Sequence, residues 1–144
     1  MEEERKEIIV VASGYFDPLH VGHIECLELA KELGDKLIVI VNNDKQAILK
    51  KGVEFMPFKE RVKIVESLGI VDEVFECIDE DATVCKSLAV IKPHIFAKGG
   101  DRNAGNIPED VVCELHGIKI IDGLGDKIQA SSKLIRDAKE SKLI

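Results

Sequence analysis

Short runs of β-branched and other apolar residues alternate along this chain with longer segments of helical periodicity. The predicted strands are Ile8 to Ser13, Lys36 to Asn42, Glu73 to Cys77, His94 to Ala97 and Ile118 to Asp122. The predicted helices are Val21 to Leu33, Asp44 to Leu49, Lys59 to Leu68, Asp81 to Ile91, Pro108 to Leu115 and Ala130 to Lys139. Continuously apolar strands are typical of a sheet covered on both faces, and strand-helix alternation requires crossover connections. We therefore expect an α/β fold, a doubly wound parallel five-stranded sheet with helices on both faces.

The first predicted helix has one apolar stripe and a glycine after it. Its apolar residues recur every third position, at Val21, Ile24, Leu27, Ala30 and Leu33. Such a stripe packs on the sheet, and Gly34 is expected to stop the helix.

Length and composition favour one globular domain, expected to span residues 1–144. Apolar residues make up 45% of the 144 and charged residues 33%, which is enough to bury a core. No apolar run reaches the length of a membrane span, and the charged start MEEERKE lacks the apolar region of a signal peptide, so we expect a cytoplasmic protein. The formal charge of −7 argues against nonspecific binding to nucleic acid or to an anionic membrane. A phosphorylated substrate would need a locally positive site.

The stretch GYFDPLHVGH, residues 14–23, joins the first strand to the first helix. Ligands of doubly wound sheets bind beyond the carboxyl ends of the strands, which is where this stretch lies. Gly14 allows a tight turn, Gly22 leaves room for a phosphate chain, and a helix start offers unpaired N–H groups to an anion. His20 and His23 lie three residues apart on one face of the first turn. They could stabilise charge on a leaving pyrophosphate, be ordinary helix-start residues, or ligate a metal.

Five motifs in order resemble one family. HVGH after GYFDPL is similar to the H-x-G-H signature of the nucleotidyltransferase superfamily, and LAKELGDKLIVIVNND resembles the segment that follows it. PFKERVKIVESLGIVDEV resembles the E-R helix, FAKGGD the K-G-G-D of the heptose 1-phosphate adenylyltransferases, and ASSKLI the final S-T-T-x-I. The resemblance covers about Ile8 to Lys139 and implies a Rossmann-like nucleotidyltransferase fold.

The resemblance implies transfer of AMP from ATP to a phosphorylated acceptor, with release of pyrophosphate. A sugar phosphate such as heptose 1-phosphate is the expected acceptor, because of K-G-G-D. The alternatives are a cytidylyltransferase that uses CTP and glycerol 3-phosphate, a flavin mononucleotide adenylyltransferase, and a nucleotide-binding sensor without turnover. The implied cofactor is Mg²⁺, which accompanies the triphosphate, with no resident metal, and the implied assembly is a homodimer.

The resemblance also assigns roles to residues. His20 and His23 would hold the triphosphate, Lys50 or Lys51 would reach the phosphates from a mobile loop, and Arg61 would assist catalysis. The nucleotide-binding positions are Gly14, Tyr15, Phe16, Asp17, Gly22, Lys50, Lys98, Gly99, Gly100, Asp101, Ser131 and Ser132.

Several of these residues also have plainer uses. Asp17 could simply form the turn, the Lys98 to Asp101 segment could be an ordinary turn, and Ser131 and Ser132 could be helix N-caps. Two departures from the family stand out. Tyr15 replaces a residue that is usually small, and the final motif lacks its usual preceding glycine in the segment Asp126 to Ala130.

Overall fold

The computed structural model describes residues 6–99 and 107–124, and within them five strands lie in one sheet. The strands are β1 (Ile9–Gly14), β2 (Lys36–Val41), β3 (Glu73–Glu76), β4 (Ile95–Gly99) and β5 (Lys119–Leu124). Each begins and ends close to its predicted bounds, because runs of β-branched residues suit a pleated, buried backbone.

The sheet is parallel and doubly wound, which confirms the expected fold class. Its strand order is β3-β2-β1-β4-β5, and all four pairings are parallel. The chain therefore moves outward in one direction from β1 to β3 and in the other from β4 to β5. The reversal lies between β1 and β4, so the carboxyl ends of these two strands border the place where such sheets bind ligands.

Helices cover both faces of the sheet. One core cluster joins Val10 and Ala12 of β1 to Leu27 of α1 (Val21–Lys31) and Val65 of α3 (Phe58–Glu66). A second cluster joins the alternate residue Val11 to residues of α4 (Cys85–Ile91) and α5 (Asp110–His116). Since successive strand residues point to opposite faces, the uninterrupted apolar run of β1 fills both cores.

Most helix bounds differ from the sequence-based expectation by one or two residues, and two of the differences bear on the site. Helix α2 (Asp44–Lys51) includes both lysines that were expected in a loop. Helix α4 begins at Cys85 rather than at Asp81, because the Asp81 carboxylate accepts hydrogen bonds from the N–H and hydroxyl of Thr83 and holds that segment in a turn. The predicted helix from Ala130 to Lys139 lies outside the described residues.

Gly34, expected to stop helix α1, lies three residues beyond its end and serves close packing. Helix α1 ends at Lys31, and Gly34 is not among the glycines with positive φ in the described chain. A Cβ at Gly34 would lie 2.7 Å from the carbonyl oxygen of Ile8 and 2.7 Å from Cγ2 of Val10. Glycine is needed there because the turn after α1 runs directly against β1.

None of the helices among residues 6–99 and 107–124 is long and apolar enough to cross a membrane.

Candidate active site

His20 and His23 orient one another through the start of the helix they precede. His20 is the N-cap of α1, and its Nδ1 accepts the N–H of Gly22 at 3.1 Å. In return, Nδ1 of His23 accepts the N–H of His20 at 3.1 Å. This is a reciprocal capping box built from two imidazoles. The helix start therefore sets the position of both rings.

The same bonds fix which ring nitrogen carries the proton. A nitrogen that accepts a backbone N–H has no hydrogen of its own, so each neutral ring is protonated at Nε2. The rings are stacked, with centroids 3.8 Å apart and planes 21° from parallel. Neither Nε2 donates to another residue within the described parts of the chain. The pair thus offers two neighbouring N–H donors.

Both histidines are neutral at physiological pH. Burial lowers the pKa of His20, while burial and the neighbouring His20 lower the pKa of His23 to about 4. Protonation of Nδ1 would also break a capping hydrogen bond, since an imidazolium only donates. The two rings can therefore act as hydrogen-bond donors to an oxyanion without first carrying a charge.

The backbone at the start of α1 offers less to an anion than the sequence indicates. The N–H of Gly22 is bound by Nδ1 of His20, and the N–H of His23 donates to the carbonyl of His20 at 3.0 Å. The helix start caps itself with imidazole nitrogens, so an anion there would meet the Nε2 atoms in place of these two amides.

Gly14 and Phe16 pack the turn that leads to the histidines. Phe16 has a left-handed backbone, with φ of 52°, and its side chain is 3% exposed. A Cβ at Gly14 would lie 2.8 Å from Cζ of Phe16, so only glycine admits the ring. The Phe16 ring meets the His23 ring edge to face, with centroids 4.9 Å apart. Phe16 thereby supports His23 from the core, while nucleotide contact by Gly14 or Phe16 stays a prediction.

Asp17 joins the histidine turn to the segment after α2. Its buried carboxylate accepts the N–H of Phe55 at 2.7 Å and the N–H of Met56 at 2.6 Å. Carboxylate bonds to backbone amides are stronger than neutral ones, so Asp17 firmly positions residues 55 and 56. Its assignment to nucleotide binding stays a prediction.

Arg61 is buried and binds the protein through most of its donors. The side chain is 0% exposed. Its Nε donates to the carbonyl of Met56, and its Nη1 donates to the carbonyls of Tyr15 and Asn42 at 2.8 and 2.6 Å. Its Nη2 donates to the Asp44 carboxylate at 2.7 Å. This geometry makes Arg61 a positioning residue for the ends of β1 and β2, and its predicted catalytic role is untested.

A cavity of about 480 Å³ opens at the carboxyl ends of β1, β2 and β4. The described residues that line it are Ser13, Gly14, Tyr15, Asn42, Lys50, Ala82, Val84, Ala97, Lys98, Gly99, Pro108 and Glu109. Five of them are predicted site residues, namely Gly14, Tyr15, Lys50, Lys98 and Gly99. His20 and His23 are not among these lining residues. They lie at the start of α1, at the end of the turn that begins at Gly14 and Tyr15 of the cavity lining.

Lys50 and Lys98 reach the cavity from two different elements. Lys50 belongs to the last turn of α2, with its ammonium 4.6 Å from the centroid of the Tyr15 ring. Lys98 lies on β4, with its ammonium 5.2 Å from the centroid of the Phe96 ring. Two lysines and the carboxylate of Glu109 therefore belong to the lining of one cavity. Phosphate binding by these lysines stays a prediction.

Gly99 allows helix α1 to pack closely against β4, and it also lines the cavity. A Cβ at this position would lie 2.7 Å from Sγ of Cys26 and 3.3 Å from the carbonyl oxygen of Leu124. The missing side chain therefore has a packing reason that the sequence motif does not reveal. Contact between Gly99 and a nucleoside remains a prediction.

Other predicted site residues lie outside the part of the chain that the structure describes. They are the side chain of Lys51 and the whole of Gly100, Asp101, Ser131 and Ser132.

Asn42 and Glu109 are lining residues that the sequence reasoning missed. Asn42 directly follows β2, so the rule that predicted a site after β1 also applies to it. Glu109 is buried and accepts the N–H of Val84 at 3.1 Å, which ties the start of α5 to the start of α4. No short motif marks Glu109, because its place at the cavity depends on how two helices pack.

The described residues contain no group of three or more His, Cys, Asp or Glu side chains close enough to hold a metal ion.

Comparison with known proteins gives one consistent family. The family model described as Cytidylyltransferase-like matches residues 11–138. An FAD synthase of Thermococcus kodakarensis is 40% identical over 122 residues, which are 82% of this chain and 79% of the relative. The bifunctional protein HldE of Pelobacter propionicus is 37% identical over 134 residues, 91% of this chain. The match spans only 25% of that longer protein.

A solved structure agrees with the fold. The lipopolysaccharide core biosynthesis protein of Thermoplasma volcanium superposes with a TM-score of 0.67 at 28% identity, covering 81% of this chain and 96% of that one.

Proposed function

We propose that this chain, which belongs to the cytidylyltransferase-like family, transfers AMP from ATP to a phosphorylated small molecule and releases pyrophosphate. The observation that carries the proposal is the stacked histidine pair, whose capping bonds leave two neutral Nε2–H donors. The turn that leads to this pair begins in the lining of a cavity that also includes Lys50 and Lys98. A phosphate acceptor is already an anionic nucleophile, so the reaction needs alignment and charge stabilisation rather than a general base.

In the proposed reaction an acceptor phosphate oxygen attacks the α-phosphorus of ATP. The bond from that phosphorus to the α–β bridging oxygen breaks, and its electrons leave with pyrophosphate. The Nε2–H groups of His20 and His23 donate to phosphate oxygens whose negative charge grows in this step. Lys50 and Lys98 hold phosphate groups in the cavity, which lowers the electrostatic cost of bringing two anions together in an acidic protein.

Mg²⁺ enters this proposal as a partner of the triphosphate. Mg²⁺ is commonly bound by substrate phosphates and water with only one or two carboxylates, so a dedicated cluster of protein ligands is unnecessary. When bound, the ion would neutralise charge on the phosphates.

Heptose 1-phosphate is our first candidate for the acceptor, and flavin mononucleotide is the second. The first is supported by the K-G-G-D motif at Lys98 to Asp101 and by similarity to HldE. The second is supported by the match to FAD synthase, which extends over most of both chains. The product of that relative contains adenine by name, so this candidate also favours ATP over CTP as the donor.

The test is pyrophosphate release with ATP, CTP, GTP and UTP, each against heptose 1-phosphate, glycerol 3-phosphate and flavin mononucleotide. We expect turnover with ATP and either heptose 1-phosphate or flavin mononucleotide. A variant with both His20→Asn and His23→Asn, purified in parallel, controls for contaminating enzymes. Turnover with CTP and glycerol 3-phosphate alone would identify a cytidylyltransferase, and nucleotide binding without any turnover would identify a sensor.

A further inference from the structure

Tyr15 and Lys50 form a pair at the wall of the cavity. The Lys50 ammonium lies 4.6 Å from the centre of the Tyr15 ring, within the range of a cation–π interaction, and both residues line the cavity. Tyr15 is half-buried, whereas Lys50 is exposed in the last turn of α2. An exposed lysine samples many rotamers, so an aromatic surface that holds its ammonium restricts where the charge lies.

The Tyr15 backbone is held in place by buried neighbours. Its carbonyl accepts Nη1 of the buried Arg61 at 2.8 Å. On its carboxyl side, Phe16 is locked in the core and Asp17 binds two backbone amides. The Tyr15 ring therefore extends from a rigid backbone, and the flexible Lys50 side chain packs against it. A rigid backbone at Tyr15 allows the ring to restrict the position of the Lys50 ammonium.

We infer that Tyr15 is a positioning residue that holds the Lys50 ammonium where it meets a phosphate group of the ligand. This inference rests on the proposed function only in taking a phosphate as the ligand. The charge of the protein supports it, because a formal charge of −7 repels a polyanion unless cations are localised at the cavity. Lys98 is localised in the same way over Phe96, so both lysines of the cavity lie over aromatic rings.

The ring, rather than the hydroxyl, is the part of Tyr15 that this role requires. Tyr15→Phe keeps the ring and removes the hydroxyl, whereas Tyr15→Leu removes the ring and leaves an apolar side chain. Lys50→Met removes the charge at nearly constant length. Lys45→Met is the matched control, because Lys45 is an exposed lysine in the first turn of the same helix, 3.8 Å from Glu80.

The experiment measures the affinity of each variant for inorganic tripolyphosphate by isothermal titration calorimetry. We expect Tyr15→Leu to weaken binding about threefold to tenfold, while Tyr15→Phe stays within about twofold of the wild type. In the Lys50→Met background, Tyr15→Leu should have no further effect, since its partner is already missing. Lys45→Met should change little.

Three results would overturn the inference. The first is no binding of tripolyphosphate by the wild type, which would mean that Lys50 does not bind a phosphate. The second is an equal loss of affinity in Tyr15→Phe and Tyr15→Leu, which would assign the effect to the hydroxyl. The third is an equal effect of Tyr15→Leu in the Lys50→Met background, which would mean that Tyr15 acts without Lys50.

A spectroscopic measurement tests the same pair without replacing Tyr15. The chain has one tyrosine and no tryptophan, so its near-ultraviolet spectrum reports mainly on this ring. Tripolyphosphate should change the spectrum of the wild type, because it neutralises or moves the cation over the ring, and the change should vanish in Lys50→Met. An equal change in Lys50→Met would contradict the inference even if Tyr15→Leu failed to fold.

These outcomes are separate from those of the proposed function, since none of them needs turnover. A protein that transfers no nucleotide but shows the coupled effect would refute the proposed function alone. A protein that turns over normally and shows no coupling would refute this inference alone.

Discussion

Arg61 and Lys50 are two cations at the same edge of the sheet with opposite surroundings. Arg61 is 0% exposed and uses its guanidinium on three carbonyls and one carboxylate. Lys50 is exposed and lies on an aromatic ring at the cavity wall. The difference separates a cation that holds the site together from one that we infer meets a ligand. The histidines lie between these extremes, because one nitrogen of each binds the protein backbone and the other does not.

The largest effect is expected on stability at Arg61. Arg61→Met should destabilise the protein by about 3–5 kcal/mol, because three backbone carbonyls and the Asp44 carboxylate lose a buried donor. The measurement is urea unfolding, with Lys59→Met as a control on the same helix that should cost under about 0.5 kcal/mol. A stable Arg61→Met protein that has lost only turnover would place Arg61 with the ligand-facing residues instead.

The next effect is expected on catalysis at the histidines. His20→Ala should slow nucleotidyl transfer about 10²- to 10³-fold, as removal of one oxyanion donor does, and should cost about 1 kcal/mol through the lost cap. His20→Asn separates the two roles, since asparagine caps helices well but lacks Nε2–H. We expect His20→Asn to be as stable as the wild type and as slow in nucleotidyl transfer as His20→Ala. Unchanged turnover in His20→Ala and His23→Ala would refute the proposed mechanism.

A smaller effect should appear in the pH dependence of stability. The pKa of His23 is lowered from 6.5 to about 4 in the folded protein, so between these values the unfolded chain binds more protons. Folding is therefore favoured above pH 6.5 and loses at most about 3 kcal/mol as the pH falls through this window. The lowered pKa of His20 acts in the same direction. Urea unfolding at several pH values should show a shallower slope for His23→Asn, and an identical slope would contradict the assignment.

The smallest effect is expected at Gly99. Gly99→Ala should destabilise by about 1–2 kcal/mol, since its methyl group would crowd Sγ of Cys26. In the Cys26→Ala background the same substitution should cost clearly less. An equal loss of stability in both backgrounds, together with weakened nucleotide binding, would contradict this reason. It would indicate that glycine is needed at position 99 to make room for the ligand and not for α1.

The strands and the histidine turn could be predicted because they depend on local patterns. A β-branched run indicates a strand by its own composition, and two histidines three residues apart share one face of any helix start. The start of α4 could not be predicted from periodicity, because side-chain hydrogen bonds decide it. The Asp81 carboxylate holds the preceding turn through Thr83. Asp79 caps α4 from outside the helix, accepting the N–H of Lys86 at 2.7 Å and of Ser87 at 3.0 Å.

The site was predicted as a list of residues, and their roles depended on contacts distant in sequence. Arg61 binds Tyr15 and Asn42, which lie 46 and 19 residues away. The close approach of Cys26 to Gly99 likewise joins α1 to β4. A family motif names such positions without saying whether each one contacts the ligand or supports a neighbour that does.

The sequence by itself determined the doubly wound α/β fold and the place of the paired histidines, because periodicity and spacing act over a few residues. The tertiary structure decided which polar groups face the cavity and which are used within the protein. The physical reason is that burial and hydrogen-bond partners depend on long-range packing. Tyr15 is the clearest case, since its ring has no evident purpose until α2 brings Lys50 over it.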